Sequence, residues 1–190
     1  MNMRYILLLE PPFCTTSLDL EEIAEKKKYY YLSMSDVYIS ELGGETEISE
    51  KLKELKSQNQ EISANFTYEL ILDKYLKKTP KNFPNGFVLD PDCFGTLEEL
   101  NILLEKIIQY ENAELLFIDI LSTPANCEEL IVDYHADEAE GKEEIKEYYE
   151  SFYPKVSEII KSKNIPVKTL ESDKEEKEIA KIFSEILSLS

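Results

Sequence analysis

Five short apolar runs recur along the chain, each separated from the next by a stretch of helical periodicity. They are Arg4–Leu9, Tyr29–Ser33, Phe87–Leu89, Glu114–Leu121 (ELLFIDIL) and Pro166–Leu170. Runs that are apolar at nearly every position, rather than at alternate ones, suit strands buried on both faces of a parallel sheet. Between them apolar residues fall three or four apart, as helices require. Leu20, Ile23 and Ala24 mark a helix from about Leu18 to Lys28. Ser35 and Asp36 offer an N-cap for a helix ending at Leu42. Thr46 opens another, with Ile48, Leu52 and Leu55 as its stripe. Further helices are predicted from Phe66 to about Lys78, Thr96 to Gln109, Pro124 to about Tyr134, about Lys142 to Lys163, and Asp173 to Leu187. Strands alternating with helices in this way predict an α/β fold, a five-stranded parallel sheet with helices on both faces. With no internal repeat and no linker, residues 1–190 read as one domain.

Composition narrows what such a domain can do. A net charge of −18 makes nucleic acid and anionic membrane poor partners, because both need a basic surface. No apolar run approaches the ~18 residues of a membrane span. Tyr5–Leu9, closed by Glu10, reads as a buried strand rather than a signal peptide. Cys14, Cys93 and Cys127 are widely spaced and lack a CxxC pair. That pattern argues against disulfides and zinc and suits the reducing cytoplasm. The single histidine, His135, has no GxSxG elbow or nucleophile context to serve. No metal and no cofactor are expected. Tyr29-Tyr30-Tyr31 reads as core and rim rather than as a base-stacking platform. Two shortages matter most: of 21 basic residues only Arg4 is an arginine, and the first of the 5 glycines is Gly43.

Three ordered segments carry a family resemblance. YLSMSDVYISEL at Tyr31–Leu42 is similar to the adenylate kinase segment HLSTGDLLRAEV, and NGFVLDPDCF at Asn85–Phe94 to KGFLLDGFPR. The intervening ISEKLKELKSQNQEISANFTYELILDKYL has the length and polarity of the two monophosphate-site helices. The helix from Pro124, and the long helix with Tyr148-Tyr149 and Pro154, resemble the end of a short-lid UMP/CMP kinase. The chain therefore resembles the nucleoside monophosphate kinases over essentially its whole length. The resemblance implies the P-loop type of sheet, a helical insertion over about 35–80 and a short lid remnant over about 132–143. It also carries Ser33, Asp36, Gly86 and Asp90 over as vestigial nucleotide-binding positions, Asp90 where the family positions magnesium-bound water. Read from the residues alone, Asp36 is a helix cap and Asp90 a turn residue before Pro91.

The departures bear on activity. A P-loop needs glycines, so that backbone N–H groups can wrap phosphates, and a lysine to meet their charge. At that place stand Glu10, Pro11, Pro12, Phe13, Cys14, Thr15, Thr16 and Ser17. Both prolines lack an N–H, Glu10 adds negative charge, and the family lysine falls on Thr15 or Thr16. The family's arginines correspond to Ile39, to Phe94 or Gly95, and to a lid stretch from Ile131 to Glu144 in which only Lys142 is basic. Losing one positioned donor in such chemistry costs about 3–4 kcal/mol of barrier, and here the whole set is missing.

The expectation is therefore a catalytically inactive member of the family, cytoplasmic, acting as a structural or interaction subunit. The resemblance implies larger assemblies for such subunits, ciliary and other multi-subunit machines among them. A partner with a basic surface is expected, and nucleotide binding that is weak or absent. The alternatives are a non-catalytic module that binds a nucleotide or other small molecule, a residual nucleoside monophosphate kinase, and an unusual transferase.

Overall fold

Every residue of β1 (Met3–Leu9) from Tyr5 to Leu9 is buried, because the strand runs through the middle of the sheet. It pairs in parallel with β3 (Gly86–Leu89) on one side and β4 (Ala113–Leu121) on the other. β2 (Tyr29–Leu32) and β5 (Val167–Glu171) complete a five-stranded, all-parallel sheet in the order β2-β3-β1-β4-β5. The computed structural model describes residues 3–14, 20–58, 60, 62–66, 68, 73–76, 82–131, 137–172 and 176–188.

Alternation along the strands divides the core in two. Tyr5, Leu7 and Leu9 of β1, Phe87 and Leu89 of β3 and Phe117 of β4 face one layer. That layer is built by α2 (Met34–Leu42), α3 (Glu47–Ser57), α6 (Leu97–Ile108) and α9 (Tyr153–Ser162), with short turns at α4 (Ala64–Phe66) and α5 (Asp73–Leu76). Ile6, Leu8, Val88, Leu116, Ile118 and Ile120 face the other. There they meet α1 (Leu20–Lys26), α7 (Pro124–Leu130), α8 (Glu138–Glu147) and α10 (Glu176–Ser188). The fold is thus the predicted α/β sheet with helices on both faces, consistent with a P-loop kinase-like architecture.

Helix starts follow local chemistry. Thr46 accepts a hydrogen bond from the Ser49 N–H, and Thr96 and Glu99 form a reciprocal capping box at α6. The helix predicted to be capped by Ser35 or Asp36 starts earlier, at Met34, so Asp36 lies exposed in its first turn. Its N-cap Ser33 makes no capping bond of its own. Asp92, from the turn after β3, does the work: it accepts from the Met34 N–H at 2.8 Å, the Ser35 N–H at 3.0 Å and both serine hydroxyls. The long C-terminal helix starts at Glu138 rather than near Lys142, and it widens to a π turn over Tyr148–Phe152 before Pro154. Proline brings no N–H and its ring crowds the preceding turn, which an extra residue relieves. Of the helix predicted from Phe66 to Lys78, the described residues include two short turns; the rest lies outside them. So do Thr15, Thr16 and Ser17, and residues 132–136 of the lid remnant with His135.

Gly86 opens β3 at φ +127°, opposite Arg4. A Cβ there would sit 2.0 Å from the Arg4 carbonyl oxygen, so only glycine lets β3 close on β1.

Candidate functional site

Open α/β sheets bind ligands beyond the carboxyl ends of their strands, and a cleft of about 670 Å³ lies there. The segment leaving β1 supplies Leu9, Glu10 and Pro12. The turn after β3 and the head of α6 supply Pro91, Phe94, Gly95 and Thr96. The third wall is Glu144 and Glu147 of α8, Tyr148, Ser151 and Phe152 of the π turn, and Lys155 of α9.

The β1 segment is held by its own chemistry. Glu10 is half-buried, Pro11 buried, and the Cys14 N–H donates to the Pro11 carbonyl. Phe13 takes φ +57°, an uncommon conformation for a residue with a side chain. Burial, reinforced by the Asp90 carboxylate and by Cys127, pushes the Glu10 carboxyl up to about 7. Behind the segment the buried Cys14 and Cys127 thiols act on each other, which pushes Cys14 up and draws Cys127 down. Tyr149 reaches the same place, donating to the Ser122 carbonyl at 2.8 Å. This pairing ties the segment to α7, and neither sulfur lines the cleft.

Four residues were predicted as nucleotide-binding remnants, and they occupy different places. Asp90 lies at the cleft end of β3, where it accepts a short hydrogen bond from the Tyr31 hydroxyl and another from the Asp92 N–H at 3.1 Å. Burial raises its pKa. Ser33 is next to it through Asp92, donating at 2.9 Å. Asp36 points away on exposed helix surface. Gly86 is at the far end of β3, in register with Arg4. Arg4 itself donates to the Tyr29 hydroxyl at 2.9 Å, at the amino end of the sheet and away from the cleft. Ile39, where the family has an arginine, is 70% exposed and apolar.

Two further residues are not evident from motifs: Tyr148, which lines the cleft, and Asp119, which does not. Asp119 lies beside Leu9 in the β4 register and is buried; Tyr153 donates to its Oδ2 at 2.7 Å, while Oδ1 has no partner among the described residues. Among those residues the buried Tyr148 hydroxyl likewise has none. Burial raises both groups' pKa values, and the Asp119 and Glu10 charges add to the rise on Tyr148. One signal did point to Asp119: an acid set between Ile118 and Ile120 inside the apolar part of ELLFIDIL, since buried carboxylates are seldom incidental.

The lining is therefore a poor match to a nucleotide's phosphates. Among the described residues, Glu10, Glu144 and Glu147 line the cleft with the single ammonium of Lys155, and Pro11 and Pro12 offer no N–H. Among the described residues, no group of three His, Cys, Asp or Glu could hold a metal ion, and no helix is long and apolar enough to cross a membrane.

No protein-family model matches the chain. A curated relative, an adenylate kinase of Lachnoclostridium phytofermentans, is 29% identical over 98 residues. The match takes in 50% of this chain and 44% of the relative, so it spans less than half of that enzyme's length. Together with the sheet, this likeness supports a distant relationship to the nucleoside monophosphate kinases.

Proposed function

We propose that the chain is a nucleoside monophosphate kinase-like protein that has given up phosphate transfer and serves as a structural or interaction subunit. One observation carries the reading: among the described residues, the cleft where a phosphate would lie is lined by Glu10, Glu144 and Glu147, with Lys155 as the one cation. Phosphoryl transfer is catalysed by positioned positive charge and N–H donors aimed at the transferring oxygens. The Glu144 and Glu147 carboxylates act in the opposite sense, and Glu10, raised to about 7, offers no positive charge in any state. The framework around them is intact, with five paired strands and both core layers filled. On this reading Ser33, Gly86 and Asp90 survive because α2, β3 and the turn after β3 need them, and Asp36 as a solvated first-turn acid.

The charge of −18 favours a partner with a basic surface, in the cytoplasm, through electrostatic steering. The test is a coupled assay for ADP formation from ATP with AMP, CMP or UMP on the purified chain. No turnover above the buffer rate is expected. Clear, enzyme-dependent ADP formation that a Glu10 substitution alters would overturn the reading. Isolation from the native source under mild conditions is expected to yield the chain with a basic partner, whereas a lone monomer would count against the subunit role.

A further inference from the structure

Two thiols that the proposed function leaves unused lie together behind the cleft. Cys14 ends the segment that leaves β1, and Cys127 lies on α7. Both are free and buried, in the same core layer. Ser122, just after β4, reaches both sulfurs with its side chain, and Ser172 reaches Cys14. The Tyr149 hydroxyl stands 3.8 Å from the Cys127 sulfur and donates to the Ser122 carbonyl at 2.8 Å. Each thiol is the largest influence on the other's proton affinity; Cys127 is drawn down to about 6 while Cys14 is pushed up. The thiolate is the attacking form of cysteine, so Cys127 is the nucleophile of the pair. Cys93 gives the contrast. It is buried in the opposite layer, its thiol donates to the Leu32 carbonyl at 3.2 Å, and burial pushes it well up.

Cys127 is 0% and Cys14 3% exposed, so an oxidant reaches them when the segment over them opens. Two features make that segment the place to open. Phe13 holds a left-handed conformation at φ +57°, which strains a residue with a side chain. Glu10 buries a carboxyl that the Asp90 charge opposes. Segments of this kind open locally without global unfolding.

We infer that Cys14 and Cys127 form a reversible disulfide site, closed by a hydroperoxide and reopened by a dithiol. With hydrogen peroxide, the Cys127 thiolate attacks one oxygen; the O–O bond breaks, hydroxide leaves, and the sulfur is oxidised to a sulfenic acid. The Cys14 sulfur then displaces that oxygen, which leaves as water with the Cys14 proton as the S–S bond forms. Both thiols are thereby oxidised and the peroxide is reduced to water. A dithiol returns both thiols by exchange and is itself oxidised to a disulfide. The bond pins the Glu10–Cys14 wall of the cleft to α7, so the segment can no longer open.

The test treats the folded full chain with hydrogen peroxide, then denatures, alkylates and maps peptides by mass. Two of the three thiols should escape alkylation, joined in one Cys14–Cys127 peptide, and dithiothreitol should restore all three. Cys93→Ser should leave that result unchanged, and C14S and C127S should each abolish it. Treatment in concentrated urea gives the comparison. Cys93 is nearer to Cys127 along the chain than Cys14 is, so loop closure in the unfolded chain favours the Cys93–Cys127 pair. Selective pairing of Cys14 with Cys127 is thus a mark of the fold. Amide exchange at Cys14, whose N–H donates to the Pro11 carbonyl, should slow about tenfold on oxidation. Three alkylated thiols after peroxide, a Cys93 cross-link in the folded chain, further oxidation of Cys127 without pairing, or unchanged exchange at Cys14 would overturn the proposal. It stands or falls independently of whether the cleft transfers phosphate.

Discussion

Replacing Glu10 by glutamine should stabilise the protein at pH 8 and leave it nearly unchanged at pH 4.5. The Glu10 carboxyl is raised from the ordinary 4.5 to about 7, first by burial and then by Asp90 and Cys127. Its own charge in turn acts on Tyr31, Tyr148 and Cys14. Between those two pH values the folded state keeps a proton that the unfolded chain has released. Stability is therefore complete below about 4.5 and falls as pH rises through 7. A tenfold change in proton affinity is worth about 1.4 kcal/mol, so the full penalty is roughly 3 kcal/mol. Glu10 forms part of the cleft wall and keeps some contact with water, which lowers this to about 1–2 kcal/mol. Glutamine has no charge to bury. In a chain of this size each kcal/mol moves the melting temperature by about 2–4 °C, so E10Q should melt about 2–8 °C above wild type at pH 8. Asp90 and Asp119 titrate in both proteins, and their effects largely cancel in the difference. Thermal melts at pH 4.5, 6, 7 and 8 give the comparison directly. A gap that does not widen with pH, or an E10Q protein less stable at pH 8, would refute the reasoning.

Two backbone features lead to further predictions. Gly86→Ala should cost more than about 4 kcal/mol or abolish folding, because the added carbon meets the Arg4 carbonyl directly. Gly95→Ala, whose nearest neighbour is a Glu99 oxygen at an ordinary 3.7 Å, should fall within about 0.5 kcal/mol of wild type; urea unfolding of both variants checks the contrast. Asp92→Ala should cost about 2 kcal/mol by urea titration, since it strips the start of α2 of its capping acceptor, and Asp92→Asn should recover part of the loss.

The sheet was legible in the sequence because its signal is redundant. Each strand is an apolar run bounded by turn residues, and five such runs leave few alternatives. Thr46 and Thr96 were legible as caps because their partners lie three residues on. The cap of α2 was not, because its acceptor, Asp92, is 58 residues from the amide it serves; no local pattern announces such a bond. The π turn had a local cause, Pro154, but a proline within a helical pattern specifies a disturbance without its form. At the site, Glu10, Pro11 and Pro12 were found through the family's loop, whereas Tyr148 and Asp119 match no motif. β4 and the long helix bring them to the same end of the sheet, and the acid between Ile118 and Ile120 was the one trace of it in the sequence.

The π turn at Tyr148–Phe152 also fixes how the chain can tolerate change in length. Successive residues of a helix are offset by about 100°, and a five-residue turn holds one residue beyond the regular number. The surplus residue is absorbed within the turn itself. Tyr153 therefore keeps its place on Asp119, and Val156 and Ile160 theirs in the core layer, and deleting one residue from the turn would restore a regular helix of the same phase. The irregular turn thus confines one surplus residue to the cleft wall, where Tyr148, Ser151 and Phe152 stand, and leaves the phase of the last fifth of the chain untouched.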